Sequence, residues 1–138
     1  MTIEHRNPTD LSPPPTGVYS HLVAASGKQL FIAGQLPRDK AGKLVGPNDI
    51  ASQYRQAWGN VLTALRAAGL GPEHLVKTTI FVVGESNLSG IRTVREEFLL
   101  PNPPAVTMVV VAGLAQPGAL IEIEGIAVFP DRGWADSL

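Results

Sequence analysis

The longest regular pattern of apolar positions lies between residues 50 and 68. Ile50, Tyr54, Ala57, Val61, Leu65 and Ala68 recur at steps of three or four, the spacing that lines up one face of an α-helix. Asn48 or Asp49 can cap the start, and Gly69 can end it. Gly59 falls inside this stretch, where it costs about 1 kcal/mol of helix propensity. A close approach to a sheet is the expected reason for a glycine there. A second helix is predicted over "SNLSGIRTVREEFLL", residues 86–100. Ser86 is its cap, Leu88, Ile91, Val94 and Phe98 form its stripe, and Pro101 stops it.

The remaining apolar runs are short and rich in β-branched residues, which favours strands. "VYSHLVAAS" (18–26) and "QLFIAGQL" (29–36) are the first two, and Gly27-Lys28 between them predicts an antiparallel hairpin. "PRDKAGKLVGPN" (37–48) is a loop with room for a short strand at Leu44 and Val45. "HLVKTTIFVVG" (74–84), "AVTMVVVAGL" (105–114) and "ALIEIEGIAVF" (119–129) complete the set. Residues 1–16 hold four of the twelve prolines and are expected to be an irregular lead-in. Residues 130–138 are expected to be a surface tail, and one domain spans 1–138, since no repeat or linker divides it.

The resulting order, β-β-α-β-α-β-β, predicts an α+β sandwich with a mixed sheet and two helices on one face. Several strands are apolar on both faces, "VTMVVV" most plainly. The second sheet face therefore needs a cover, and the simplest cover is another copy of the chain.

Composition narrows the function. Hydrophobic residues make up 44% of the chain and charged residues 17%, enough to fill a core. Eleven basic and twelve acidic residues leave a formal net charge of −1 with no basic run, so no nucleic-acid partner is expected. The absence of cysteine excludes disulfides, thiol catalysis and thiolate-bound metals. It fits a reducing cytoplasm. The start, MTIEHRNPTD, has no apolar signal core, and no stretch is long enough to cross a bilayer. A soluble cytoplasmic protein with no membrane partner is expected.

Few residues offer chemistry. His5, His21 and His74 lack metal-ligand spacing, Ser20 and Ser26 lack a nearby base in the sequence, and "GLAQPG" follows a strand with no helix after it. Glu122 and Glu124 are more informative. Period two puts both on one face of the last strand, opposite Ile121 and Ile123. That face is either solvated or lines a cleft, where a carboxylate can position or activate water. Arg92, Arg95, Glu96 and Glu97 crowd the second helix, with Arg92 and Glu96 at the spacing of an exposed helix pair.

Six segments in order, "GVYSHLV", "LFIAGQLPRD", "QAWGNVLTALRAAGL", "VKTTIFVV", "PPAVT" and "GALIEIEGIAV", together resemble the YjgF/RidA family (the Rid superfamily, also called L-PSP or YER057c-type). The resemblance runs from about residue 17 to residue 129. It implies a chorismate-mutase-like fold and a homotrimer whose sheets line an inner barrel, with ligand clefts between neighbouring subunits. It also implies hydrolysis of small reactive imine or enamine metabolites to 2-oxo acids and ammonia, with neither metal nor organic cofactor.

Carried over by position, the resemblance makes Tyr19 the cleft tyrosine, Glu122 the carboxylate that places water, and Gly34 with Gln35 the close of the second strand. Ala33 stands where active members often have serine. Val106, beside Thr107 in "PPAVT", stands where the deaminases have the arginine that grips the substrate carboxylate. Arg92 falls near a position that is often asparagine. The expected substrate-binding set is thus Tyr19, Ala33, Gly34, Arg92, Val106 and Thr107, with Glu122 catalytic. Valine offers no donor to a carboxylate, and losing that pair in a sheltered cleft would lower the rate about a thousandfold. The substrate is therefore expected to be atypical, with Arg92 a candidate for the missing grip. A trimer that binds a small apolar molecule without turnover is the alternative. The ribonuclease label sometimes given to the family fits poorly with the low net charge.

Overall fold

The computed structural model describes residues 3–130. Its strands are β1 (Ile3–Arg6), β2 (Leu22–Ala25), β3 (Gln29–Gln35), β4 (Leu75–Val83), β5 (Ala105–Val111) and β6 (Ile121–Val128), and its α-helices are α1 (Ile50–Ala67) and α2 (Leu88–Arg95). Four strands form a mixed sheet in the order β3-β6-β4-β5. β6 runs antiparallel to both β3 and β4, and β4 runs parallel to β5. The helices supply the crossovers between strands of like direction, as parallel neighbours require. The α+β sandwich expected from the pattern is the fold observed. No helix among the described residues is long and apolar enough to cross a membrane.

The core lies between the sheet and the helices. Alternation sends Ile80 and Val82 of β4 and Ile121 and Ile123 of β6 inward, against Ala57, Val61 and Leu65 of α1 and Ile91 and Val94 of α2. Asp49 caps α1: the Ser52 amide donates to its Oδ1 at 3.2 Å and the Ser52 hydroxyl to its Oδ2 at 2.7 Å. Gln53 is fully buried and binds two loops together. Its amide donates to the carbonyls of Gly46 and Gly118, and its Oε1 accepts from the Leu120 amide. That connection sets the start of β6 against α1.

Several local expectations are corrected. β2 and β3 do not form a hairpin. β2 pairs with β1 in a separate antiparallel sheet, and β3 pairs with β6 from Gln29↔Val128 to Gln35↔Ile123. Burial decides the choice, because β3 must send Leu30 and Ile32 into the core while β2 is mostly exposed. The expected irregular lead-in contains β1 for the same reason: β2 needs a partner. The loop at Leu44 forms only a single bridge, to Arg38. The second helix is shorter than its apolar stripe, with single 3₁₀ turns at 85–87 and 96–98 flanking α2. Ser86 is not its cap. Asn87 holds that position, and its side-chain amide donates to the Val83 carbonyl at 2.8 Å. Gly59 has open space where a side chain would begin, so no close approach to the sheet explains it. The expected tail lies mostly beyond the described residues.

The sheet face away from the helices is as apolar as expected. Phe31 is 70% exposed and Val109 38%. Thr79, Phe81, Ile126, Glu122 and Glu124 share this face by strand register.

Candidate functional site

The expected site residues fall into two groups. The first gathers at the β3–β6 pair. Glu122 is half-buried on the outward face of β6, opposite inward-pointing Ile121 and Ile123, as the alternation predicted. The β3–β6 register shifts between Ile32 and Gln35, a bulge that contains Ala33 and Gly34. Gly34 lies directly under the Glu122 side chain. A Cβ there would stand 2.7 Å from the carboxylate carbon. Only glycine lets the two approach so closely. Ala33 is exposed beside it, and its carbonyl accepts from the Gln35 side-chain amide at 3.0 Å. Among the described residues, the Glu122 carboxylate has neither a hydrogen-bond donor nor an ion-pair partner.

The second group gathers where the chain before β2 crosses the end of α2. The segment around Tyr19 is fixed on both sides. The Leu100 amide donates to the Gly17 carbonyl at 3.0 Å, and the Ser20 amide donates to the Pro104 carbonyl at 3.0 Å. The buried Ser20 hydroxyl donates to the Pro103 carbonyl at 2.7 Å. Gly17 has φ +80°, and a Cβ there would meet Leu99 Cβ at 2.9 Å, so the crossing requires glycine. Tyr19 packs edge-on against His21, with ring centres 5.4 Å apart. With Arg92, Arg95, Leu99 and Met108 it lines an open pocket of about 370 Å³. The proline pair before β5, which ties down Ser20, thus also sets the tyrosine.

Val106 does not face the Glu122 group. It pairs with Thr78 and points toward the helices, where it helps line a cavity of about 30 Å³ with Tyr54, Trp58, Ile80 and Arg95. Thr107 points the other way, and its hydroxyl accepts from Lys77 Nζ at 2.7 Å. Val106 and Glu122 therefore lie on opposite faces of the sheet, on strands separated by β4. One chain brings Tyr19 and Arg92 together, and Gly34, Ala33 and Glu122 together, but does not join the two groups.

Arg95 is the residue that sequence reasoning left on a solvated helix face. It is half-buried and borders both the pocket beside Tyr19 and the cavity beside Val106. Burial raises the phenol pKa of Tyr54, and the neighbouring Arg95 guanidinium opposes that rise by favouring the phenolate. The helix pair expected between Arg92 and Glu96 is absent. Instead Glu97 takes two hydrogen bonds from Arg55 of α1, at 2.6 and 2.9 Å. The three-residue step from Arg92 to Arg95 was the available signal, since it puts both on one side of the helix. Among the described residues, no group of three or more His, Asp or Glu side chains could hold a metal ion.

The comparisons with known proteins agree on one family. The family model described as Endoribonuclease L-PSP matches residues 9–129. A RutC family protein of Pyrococcus horikoshii is 38% identical over 120 residues, covering 86% of this chain and 93% of its own. A 2-iminobutanoate/2-iminopropanoate deaminase of Bos taurus is 32% identical over 120 residues, covering 87% and 86%. Among solved structures, a conserved Rid-family protein of unknown function from Yersinia pestis superposes with a TM-score of 0.83 at 34% identity, covering 94% of this chain and all of its own.

Proposed function

The chain belongs to the Endoribonuclease L-PSP family, the YjgF/RidA group, and on that premise we propose that it hydrolyses small imine or enamine carboxylates in a cleft completed by a second copy of itself. The observation that carries this reading is the Glu122 carboxylate, half-buried over Gly34 and without a partner among the described residues. Some relatives are imine deaminases by name, which makes imine hydrolysis the reaction to test first.

In the proposed reaction Glu122 accepts a proton from water as the water oxygen bonds to the imine carbon. That proton passes to the imine nitrogen and gives the neutral carbinolamine. Glu122 then takes the carbinolamine's hydroxyl proton and returns it to the amine nitrogen as the C=O bond forms and the C–N bond breaks, so that ammonia and a 2-oxo acid leave. The exposed outward sheet face, with Phe31 and Val109, supports assembly into a homotrimer around that face. Such an assembly would bring Glu122, Ala33 and Gly34 of one copy to Tyr19 and Arg92 of the next. The formal charge of −1 and the lack of a basic run favour a small metabolite over RNA. Leu99 and Met108 make this side of the cleft apolar, which also suits a trimer that binds a ligand without turnover.

Ammonia release from freshly generated 2-iminopropanoate tests the hydrolase reading, with wild type, Glu122→Gln and Val106→Arg compared. Wild type should exceed the spontaneous rate, and Glu122→Gln should lower kcat by about a hundredfold or more. Val106→Arg should raise the rate on this small substrate by adding a second guanidinium. Ammonia release no faster than the spontaneous rate from wild type and Val106→Arg alike would refute the reading. Saturable binding of a 2-oxo acid without release would favour the binding trimer.

A further inference from the structure

We infer that Arg95 grips the carboxylate of the ligand in the Tyr19 pocket, supplying from α2 the guanidinium that β5 does not carry at Val106. This rests on the proposed reading of the cleft for the identity of the ligand, but not for its charge. Arg95 borders the outer pocket with Tyr19, Arg92 and Met108, and it borders the inner cavity with Val106 and Trp58. It therefore stands between the bound ligand's space and the space that a longer side chain at 106 would enter.

Its electrostatic situation points the same way. Glu97, two residues along, takes both hydrogen bonds of Arg55. Glu96 is the one acid lining the outer pocket among the described residues, and it forms no ion pair with either arginine there. Arg95 is half-buried without a carboxylate partner among the described residues. A guanidinium in that position gains most from an anion delivered by the ligand, since its planar fork matches a carboxylate in two parallel bonds. Arg92 is more exposed and adds charge at the mouth, where solvent screens it. The remaining walls, Val18, Leu99 and Met108, are apolar. The ligand class these walls admit is thus a small carboxylate with a short apolar side chain, and the proposed reading supplies pyruvate as the probe.

The test is equilibrium binding of pyruvate to the assembled protein by calorimetry, with wild type, Arg95→Gln, Arg95→Lys and Arg92→Gln compared. Methyl pyruvate serves as the probe without charge. Arg95→Gln should weaken pyruvate binding about tenfold to a hundredfold, the usual worth of charge-assisted hydrogen bonds. Arg95→Lys should recover part of that loss, because it keeps the charge without the fork. Arg92→Gln should change affinity less than Arg95→Gln, and methyl pyruvate should bind wild type as weakly as pyruvate binds Arg95→Gln. A purely structural role for Arg95 would weaken both probes equally.

Unchanged pyruvate affinity in Arg95→Gln, or no saturable pyruvate binding to wild type at millimolar concentration, would overturn the inference. If Arg95→Gln does not fold, Arg95→Lys and the pair of probes on wild type decide it. The two readings fail separately. Arg95-dependent pyruvate binding without imine turnover refutes the hydrolase and keeps the grip. Turnover with the same KM in wild type and Arg95→Gln keeps the hydrolase and refutes the grip.

Discussion

Replacing Gly34 by alanine tests the contact on which the carboxylate group depends. The new methyl would lie 2.7 Å from the Glu122 carboxylate carbon and 3.0 Å from Cγ. Ordinary contact begins at 3.4 Å and Oε2 lies nearer still than the carboxylate carbon, so the side chain must retreat by more than 0.7 Å (3.4 less 2.7) or change rotamer. Leaving a rotamer minimum costs about 0.5–1.5 kcal/mol. Against this, alanine removes chain entropy from the unfolded state, a gain of about 0.4–1 kcal/mol where the backbone permits it. The backbone does permit it, because Gly34 does not have the positive φ seen at Gly17. The net change in wild type should be near zero or slightly destabilising. In a Glu122→Ala background the obstruction is gone, and Gly34→Ala should stabilise by about 0.4–1 kcal/mol. The double-mutant cycle should thus show a coupling of about 0.5–1.5 kcal/mol. Urea unfolding at a fixed protomer concentration measures it, since assembly makes apparent stability concentration-dependent. Equal effects of Gly34→Ala in both backgrounds would show that the two side chains do not meet, and would remove the structural basis for placing Glu122 over the bulge.

Two further outcomes follow from α1. Gly59→Ala should stabilise by about 1 kcal/mol, because its new methyl meets nothing within 4 Å; destabilisation in urea would mean that this helix face is packed in the assembly. Asp49 has its carboxyl pKa held below the usual value, chiefly by the Ser52 hydroxyl and then by the Ser52 amide. A depressed folded-state pKa contributes stability above the ordinary carboxylate value and loses it as pH falls through the folded value. Asp49→Ala should therefore be less stable than wild type at neutral pH, and the gap should narrow as the medium is acidified below about pH 4. Chemical unfolding across that range reads the difference, and a constant gap would exclude the cap as its source.

The sequence by itself located both helices and every strand but β1, and determined which side of them faces in. The stripe of Tyr54, Ala57, Val61 and Leu65 on α1, and the alternation that turns Ile121 and Ile123 inward and Glu122 outward, are local periodicities. They are set by 3.6 residues per turn and by the two-residue strand repeat. The resemblance of six ordered segments likewise pointed to the family. Pairing partners were different. Gly27-Lys28 suggested that β2 and β3 were neighbours, but β3 joined β6 and β2 joined β1, because strand choice depends on which partner completes the core. The site followed the same division. Glu122, Tyr19 and Arg92 could be picked out singly, whereas three relations required the folded chain: Gly34 beneath Glu122, Ser20 tied to the prolines before β5, and Arg95 beside Val106. Each joins residues distant in sequence or on different elements, and a one-dimensional pattern carries the period of an element but not the direction from which its neighbours arrive.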